Sequence, residues 1–255
     1  MSVLKYREQI YAGVLGKIIG VYLGRPVEGW SYDKIRETFD EVKYYVHEKV
    51  GVPLIVADDD ISGTFAFFRA LEDNGYDREL PAKAFGDTWL NYIIENRTIL
   101  WWGGLGRSTE HTAYLNLKNG MDAPESGAVR TNGTTLAEQI GAQIAMACPD
   151  DPELAVSLVR KAASVSHDGI AVEAACHLAA LEAMAFTEKD VNVLLDRAGG
   201  YVQNQVLKDM IGDVRDICSR ESDWRKVRDY LDPKYGYEVF PGCCHMIPNH
   251  AMVIA

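Results

Sequence analysis

The sequence predicts an all-α protein, a compact orthogonal bundle of many helices forming one domain over residues 1–255. Three observations carry that prediction. Apolar residues recur at three- and four-residue spacing along most of the chain. Ser, Asp, Thr and Pro stand where helices should begin, and Asn-Gly where one should end. Strand-like patterning is confined to 50–56 (VGVPLIV), where Pro53 weakens it. The chain is 47% hydrophobic and 25% charged, enough to bury a core and incompatible with a disordered or fibrous protein.

The first predicted helix, 5–24, sets Ile10, Val14, Leu15, Ile18, Ile19 and Tyr22 at the spacing of an amphipathic face. Residues 61–73 repeat the pattern with Ile61, Phe65, Phe68 and Leu71 and stop at Asn74-Gly75, a C-terminal cap. Further helices are expected at 81–95, 133–147, 152–164, 169–185, 188–197, 201–218 and 222–230. Asp151-Pro152 and Thr187-Glu188 read as helix starts. Two stretches break the rhythm. The first, 99–133, is rich in Gly, Asn, Ser and Thr and carries Trp101 and Trp102; a polar loop of that length with such aromatics reads as functional. The second, 232–249, holds Pro233, Pro241, Gly242 and Pro248.

A net charge of −11 argues against a nucleic-acid duplex as partner, because phosphate binding needs clustered Lys and Arg. The N-terminal stretch interrupts its apolar residues with Gly and Lys17, so neither a secretory leader nor a membrane span is expected. The five cysteines are irregularly spaced, and adjacent Cys243 and Cys244 lack the spacing of a zinc site. They read as reduced, space-filling thiols of a cytoplasmic protein.

Asp58-Asp59-Asp60 is the sharpest chemical feature, set between the apolar run 54–57 and a helix start. Adjacent carboxylates repel, and a helix N-terminus compensates only part of that repulsion. A divalent cation compensates more, and Asp oxygens suit Mg2+ or Mn2+; the alternative is a solvent-facing cap and acidic first turn. Gly13, Gly16, Gly20 and Gly24 leave one face of the first helix bare, for tight packing against another helix or for close approach of a ligand. Glu28 follows that helix and is placed to project into a cleft, although alone it reads as a surface residue. Ser166-His167-Asp168 is not a catalytic triad, which is assembled in space rather than from neighbours, and Ser166 or Asp168 reads as a cap for the next helix. Gln139 and Gln143 share a helical face, bonding either a ligand or each other.

Taken in order, GVLGKIIGVYLGRPVEGW, ADDDISGTFAF, SGAVRTNGTTLAEQIGAQI and KAASVSHDGIAVEAA resemble the ADP-ribosylglycohydrolase family, which includes dinitrogenase reductase-activating glycohydrolase, the ADP-ribosyl-acceptor hydrolases and J1-type crystallins. The resemblance runs from the first helix to the end of the chain. It implies an all-α bundle around a central cleft holding two Mg2+ or Mn2+ ions. Asp58 and Asp59 would be ligands carried over from the family's (S/T)DDT segment, with Asp60 or a shift of register making up for Ala57, which stands where the family has a hydroxyl. Glu28 matches the glutamate placed at the metal site and in catalysis, so Glu28 and Asp59 are the implied catalytic carboxylates. Ser166 and His167 match a segment lining the cleft. Ser126, Gly127, Arg130 and Asn132 approximate a phosphate-contacting loop, and Trp101, Trp102 and His111 would border the ligand.

The implied activity is metal-assisted hydrolysis of the glycosidic bond between ADP-ribose and a protein side chain or small-molecule acceptor. Two alternatives stand beside it: hydrolysis of another ribosyl or nucleoside-like substrate, and a non-catalytic, crystallin-like or ADP-ribose-binding member with an incomplete metal site. The family's second group of ligands, a D-x-D-[ST] motif, follows a helix near the C-terminus. PNHAMVIA resembles the start of that helix, and no D-x-D-T is present. The expectation is therefore one of three: a fragment of a longer protein, a naturally shortened member in which one or both ions are missing, or half a site completed by a second chain.

Overall fold

The computed structural model describes residues 2–55, 57–98, 100–129, 133, 135 and 137–255. These form thirteen α-helices and no strand among the described residues; the one β contact is an isolated bridge between Thr135 and His245. In order they are α1 (Val3–Gly24), α2 (Tyr32–Phe39), α3 (His47–Val50), α4 (Asp59–Asp73), α5 (Ala82–Tyr92), α6 (Thr109–Lys118), α7 (Glu138–Met146), α8 (Pro152–Ala163), α9 (Gly169–Met184), α10 (Val191–Ala198), α11 (Gln205–Arg220), α12 (Trp224–Tyr235) and α13 (Met246–Ile254). None of them is long and apolar enough to cross a membrane.

The centre of the bundle is α9, whose sequence GIAVEAACHLAALEAM is alanine-rich on almost every side. Ala171, Ala174, Ala175, Ala179, Ala180 and Ala183 are all buried, so α7 and α8 pack closely against it. Gly141 of α7 lets the side chain of Val159 on α8 come within van der Waals range of its backbone, since a Cβ there would lie 2.7 Å from Val159 Cγ1. On the α4–α5 side Phe67 and Trp89 stack with ring centroids 4.3 Å apart. A second core joins α11, α12 and α13 through Leu207, Met210, Val214, Leu231 and Ile247. Between the two cores His177 of α9 and His250 of α13, both fully buried, share a 2.9 Å hydrogen bond. Burial, then the neighbouring His250, lowers His177 to about 3 and keeps it neutral.

Several elements differ from the sequence reading. The polar stretch 99–133 contains α6, capped where Ser108 Oγ accepts from His111 N–H at 3.1 Å. α2 is a further helix inside a segment left without structure, and the expected strand at 50–56 is instead the end of α3 at Val50 followed by turn and irregular chain over 51–55. Pro248 does not break the C-terminal region, because it lies in the first turn of α13, where its missing N–H has no intrahelical partner. The helix after Thr187 starts at Val191 with Asp190 as its cap, and Thr187 bonds Asp150 instead. Asp168 occupies the N-cap position of α9 without a side-chain bond to it. Cys148 and Cys176 are buried fillers, whereas Cys243 and Cys244 are exposed free thiols.

α1 meets its amphipathic expectation in part: Ile10, Val14, Ile18 and Tyr22 lie on one half-buried face, while Leu15 and Ile19 fall outside it. None of its residues is buried, and Val3, Leu4, Tyr11, Leu15 and Ile19 are exposed. Of its glycines only Gly13 meets a close neighbour, the Met146 side chain, while Gly16, Gly20 and Gly24 face open space. Polar groups and a ring contact tie the half-buried face down: Tyr6 Oη donates to Met146 O at 3.2 Å, Gln9 Nε2 donates to Phe186 O at 3.1 Å, and the Tyr6 ring packs on Phe186.

Beneath α1 lies Glu182 of α9, at one end of an apolar groove lined by Leu178, Leu181, Leu194 and Val253. Its Oε2 is buried with no hydrogen-bond partner among the described residues. Burial raises its pKa from 4.5 to about 8, and attraction to Lys17 does not offset it. The native state therefore binds this proton more tightly than the unfolded chain, and ionising Glu182 costs stability as pH rises from 4.5 through 8. Glu182→Gln is expected to raise the melting temperature by about 5 °C at pH 9, and the gain should shrink to nothing below pH 4.5. Thermal melts across that range check it.

Candidate active site

The end of α1 and the start of α4 are joined by charge. After Gly24 the chain makes a tight turn through Arg25–Val27, and Arg25 Nε lies 3.2 Å from Asp58 Oδ2. The other oxygen, Asp58 Oδ1, accepts from Asp60 N–H at 3.0 Å and caps α4. Both halves of the Asp58 reading thus meet in one residue: it is a helix cap, and it is neutralised by a guanidinium.

Its neighbours lack that compensation. Glu28 is an exposed residue beside the cleft rather than one of its lining residues, and partial desolvation, then Asp59 and Asp58, raises its pKa from the ordinary value. Burial, then Asp58, raises Asp59 as well, against the pull of backbone N–H groups. Asp60 is exposed at the cleft mouth, but its surroundings desolvate it, and this, then Asp59, carries it to about 6, with Lys17 as its main counter-charge. Asp59, Asp60, Thr64 and Glu110 line a narrow cleft with Phe67 and Ile140 among its apolar walls.

Sequence reasoning missed Glu110. It enters the cleft from the first turn of α6, and burial is the main cause of its raised pKa. The cap Ser108, followed by Ala113, Tyr114 and Leu117 at helical spacing, is the signal that would have found α6 and with it Glu110.

The other expected site residues fall into two groups. Ser126, Gly127, Ser166 and His167 lie together in the interior. Ser126 Oγ donates to Val165 O at 2.7 Å, and Ser166 Oγ lies 2.8 Å from His167 Nδ1. Gly127 sits on the backbone of the 164–167 turn, where a Cβ would lie 2.7 Å from His167 O and 2.8 Å from His167 N. The two motifs are thus one packed unit, and Ser166 bonds its neighbour rather than capping α9. Trp102 and His111 form the second group. Trp102 Nε1 donates to Thr98 O at 2.8 Å, and its ring meets His111 and Tyr114 edge-on. Gly104 N–H donates to His111 Nδ1 at 3.1 Å, which leaves the Nε2 proton for Glu95 at 3.2 Å. Trp101 is exposed. Arg130, Asn132 and the Gln139 side chain lie outside the described residues, while Gln143 is buried with both amide atoms lacking a partner among them.

Oxygen-only donors of this kind suit a hard divalent cation. Among the described residues, however, no three Asp, Glu, His or Cys side chains converge closely enough to hold one.

Fold and site define an all-α protein with a carboxylate-lined cleft at a helix N-terminus. The ADP-ribosylglycohydrolase family matches residues 2–250, and the chain belongs to that family. The family's activity is hydrolysis of the glycosidic bond of ADP-ribose, which makes ADP-ribosylated compounds the class of substrate. Neither the curated proteins nor the solved structures include a match to the chain.

Gly127→Ala is expected to destabilise the protein by about 2 kcal/mol or more, because the neighbours it meets are backbone atoms that cannot rotate away. Denaturant unfolding checks this.

Proposed function

We propose that the protein hydrolyses the bond between ribose C1″ of ADP-ribose and its acceptor, with Asp58, Asp59, Asp60 and Glu28 as the residues that would supply part of a Mg2+ or Mn2+ site which, as they stand among the described residues, they do not close by themselves. The observation that supports this most is the crowding of Glu28, Asp59 and Asp60, each raised by desolvation and its acidic neighbours. Such crowding favours a cation. When bound, the cation would orient the ribose hydroxyls and polarise a water. Asp59 and Glu28 are the carboxylates to take the proton from that water as it attacks C1″. The bond from C1″ to the acceptor nitrogen or oxygen breaks through an oxocarbenium-like state, and the acceptor leaves with a proton. Arg25 holds Asp58 in place, so the start of α4 keeps its geometry as the charges change.

A second reading, an ADP-ribose binder without a metal centre, is favoured by the ion pair that already occupies Asp58. The two are separated by turnover. Asp59→Asn is expected to lower the rate of ADP-ribose release from ADP-ribosyl-arginine or ADP-ribosyl-serine by a factor on the order of 100 or more, and chelation of divalent ions to abolish it. Undiminished release by Asp59→Asn would reject the catalytic reading. ADP-ribose binding that ignores chelator, with no turnover by the wild type, would select the second.

A further inference from the structure

Glu110 stands on the wall opposite α4, presented by a different helix from the Asp58–Asp60 run, and its two oxygens have unequal surroundings. Oε2 is fixed: Thr109 Oγ1 donates to it at 3.0 Å, and Ser108 Oγ lies 3.1 Å away. Ser108 has one hydroxyl proton, and Trp101 O competes for it at 2.5 Å. Oε1 has no side-chain donor among the described residues, the carboxylate's other protein donor being its own backbone N–H, and it is not among the buried unpaired atoms. It is therefore the oxygen free to meet a ligand in the cleft that Glu110 lines. Phe67, Leu100 and Ile140 give that cleft apolar sides, so a carboxylate oxygen there is best satisfied by donors that the ligand itself brings.

We propose that Glu110 is a specificity-determining residue of this cleft, its Oε1 accepting from the 2-hydroxyl, and the adjacent 3-hydroxyl, of a ribose ring. This rests on the reading of the cleft as the ADP-ribose site. A carboxylate and a vicinal diol are natural partners, because both hydroxyls donate toward one acceptor group and both bonds are charge-assisted. The pinning of Oε2 by Thr109 fixes the carboxyl plane before the sugar arrives, which lowers the ordering cost. Glu110 then separates ribosyl from deoxyribosyl ligands, a role distinct from that of the carboxylates at the start of α4.

Calorimetric titration of the full chain with ADP-ribose and with its 2″-deoxy analogue, in the presence and absence of Mg2+, reads this at equilibrium. The wild type should prefer ADP-ribose by about tenfold or more, the worth of one charged hydrogen bond. Glu110→Ala should bring the two affinities within about twofold of each other, chiefly by weakening ADP-ribose, and should leave the titration with Mg2+ alone unchanged. Glu110→Gln, which keeps a neutral acceptor and the shape of the side chain, should give an intermediate preference and serves if the Ala variant fails to fold. A full wild-type preference in either variant, or loss of Mg2+ binding in them, overturns the inference and leaves the proposed function standing. A wild type that binds no ADP-ribose overturns both.

Discussion

Close packing against α9 is the constraint on which the remaining structure depends. A helix with alanine on nearly every side offers little surface per residue, and it stabilises the fold only where its neighbours approach closely. Gly141 permits one such approach between α7 and α8. The buried 164–167 turn that joins α8 to α9 carries Ser126 and Gly127 packed on its backbone, so these two residues are positioned by the same core. Ile140 of α7 and Phe67 of α4 then form walls of the acidic cleft. Site and core share a boundary.

At that boundary the protein tolerates unfavourable electrostatics. Asp58 is compensated twice, by Arg25 and by the N-terminus of α4, and this anchors the others. Glu28, Asp59, Asp60 and Glu110 are left with partial compensation, and desolvation is the main cause of each shift. Glu182, in the apolar groove beside Lys17, is raised by burial as well, at a cost to stability once it ionises.

Much of the helical content was legible because its signals are local. Asp151-Pro152, Asn74-Gly75 and the alanine run of α9 specify their elements within a few residues. α6 was obscured by its surroundings: its glycine-rich approach and polar composition read as loop, although Ser108 caps it. α1 was legible only in part: Ile10, Val14, Ile18 and Tyr22 do share a half-buried face, but Leu15 and Ile19, at the same spacing, are exposed. Periodicity tells which residues share a face and says nothing of what, if anything, covers it.

By itself the sequence determined the helical class, the family, and the carboxylates that open α4, because each of these lies in short-range spacing or in ordered motifs. Only the tertiary structure decided which side chains meet. Arg25 reaches Asp58, and Glu110 faces Asp59 and Asp60 from another helix. Ser126 and Ser166 join in one interior cluster, while Trp102 and His111 hold each other and the loop before α6. The physical reason is range. Caps and helical periods act over one or two turns of chain, whereas desolvation and charge repulsion depend on what the fold brings within a few ångströms across many residues of sequence.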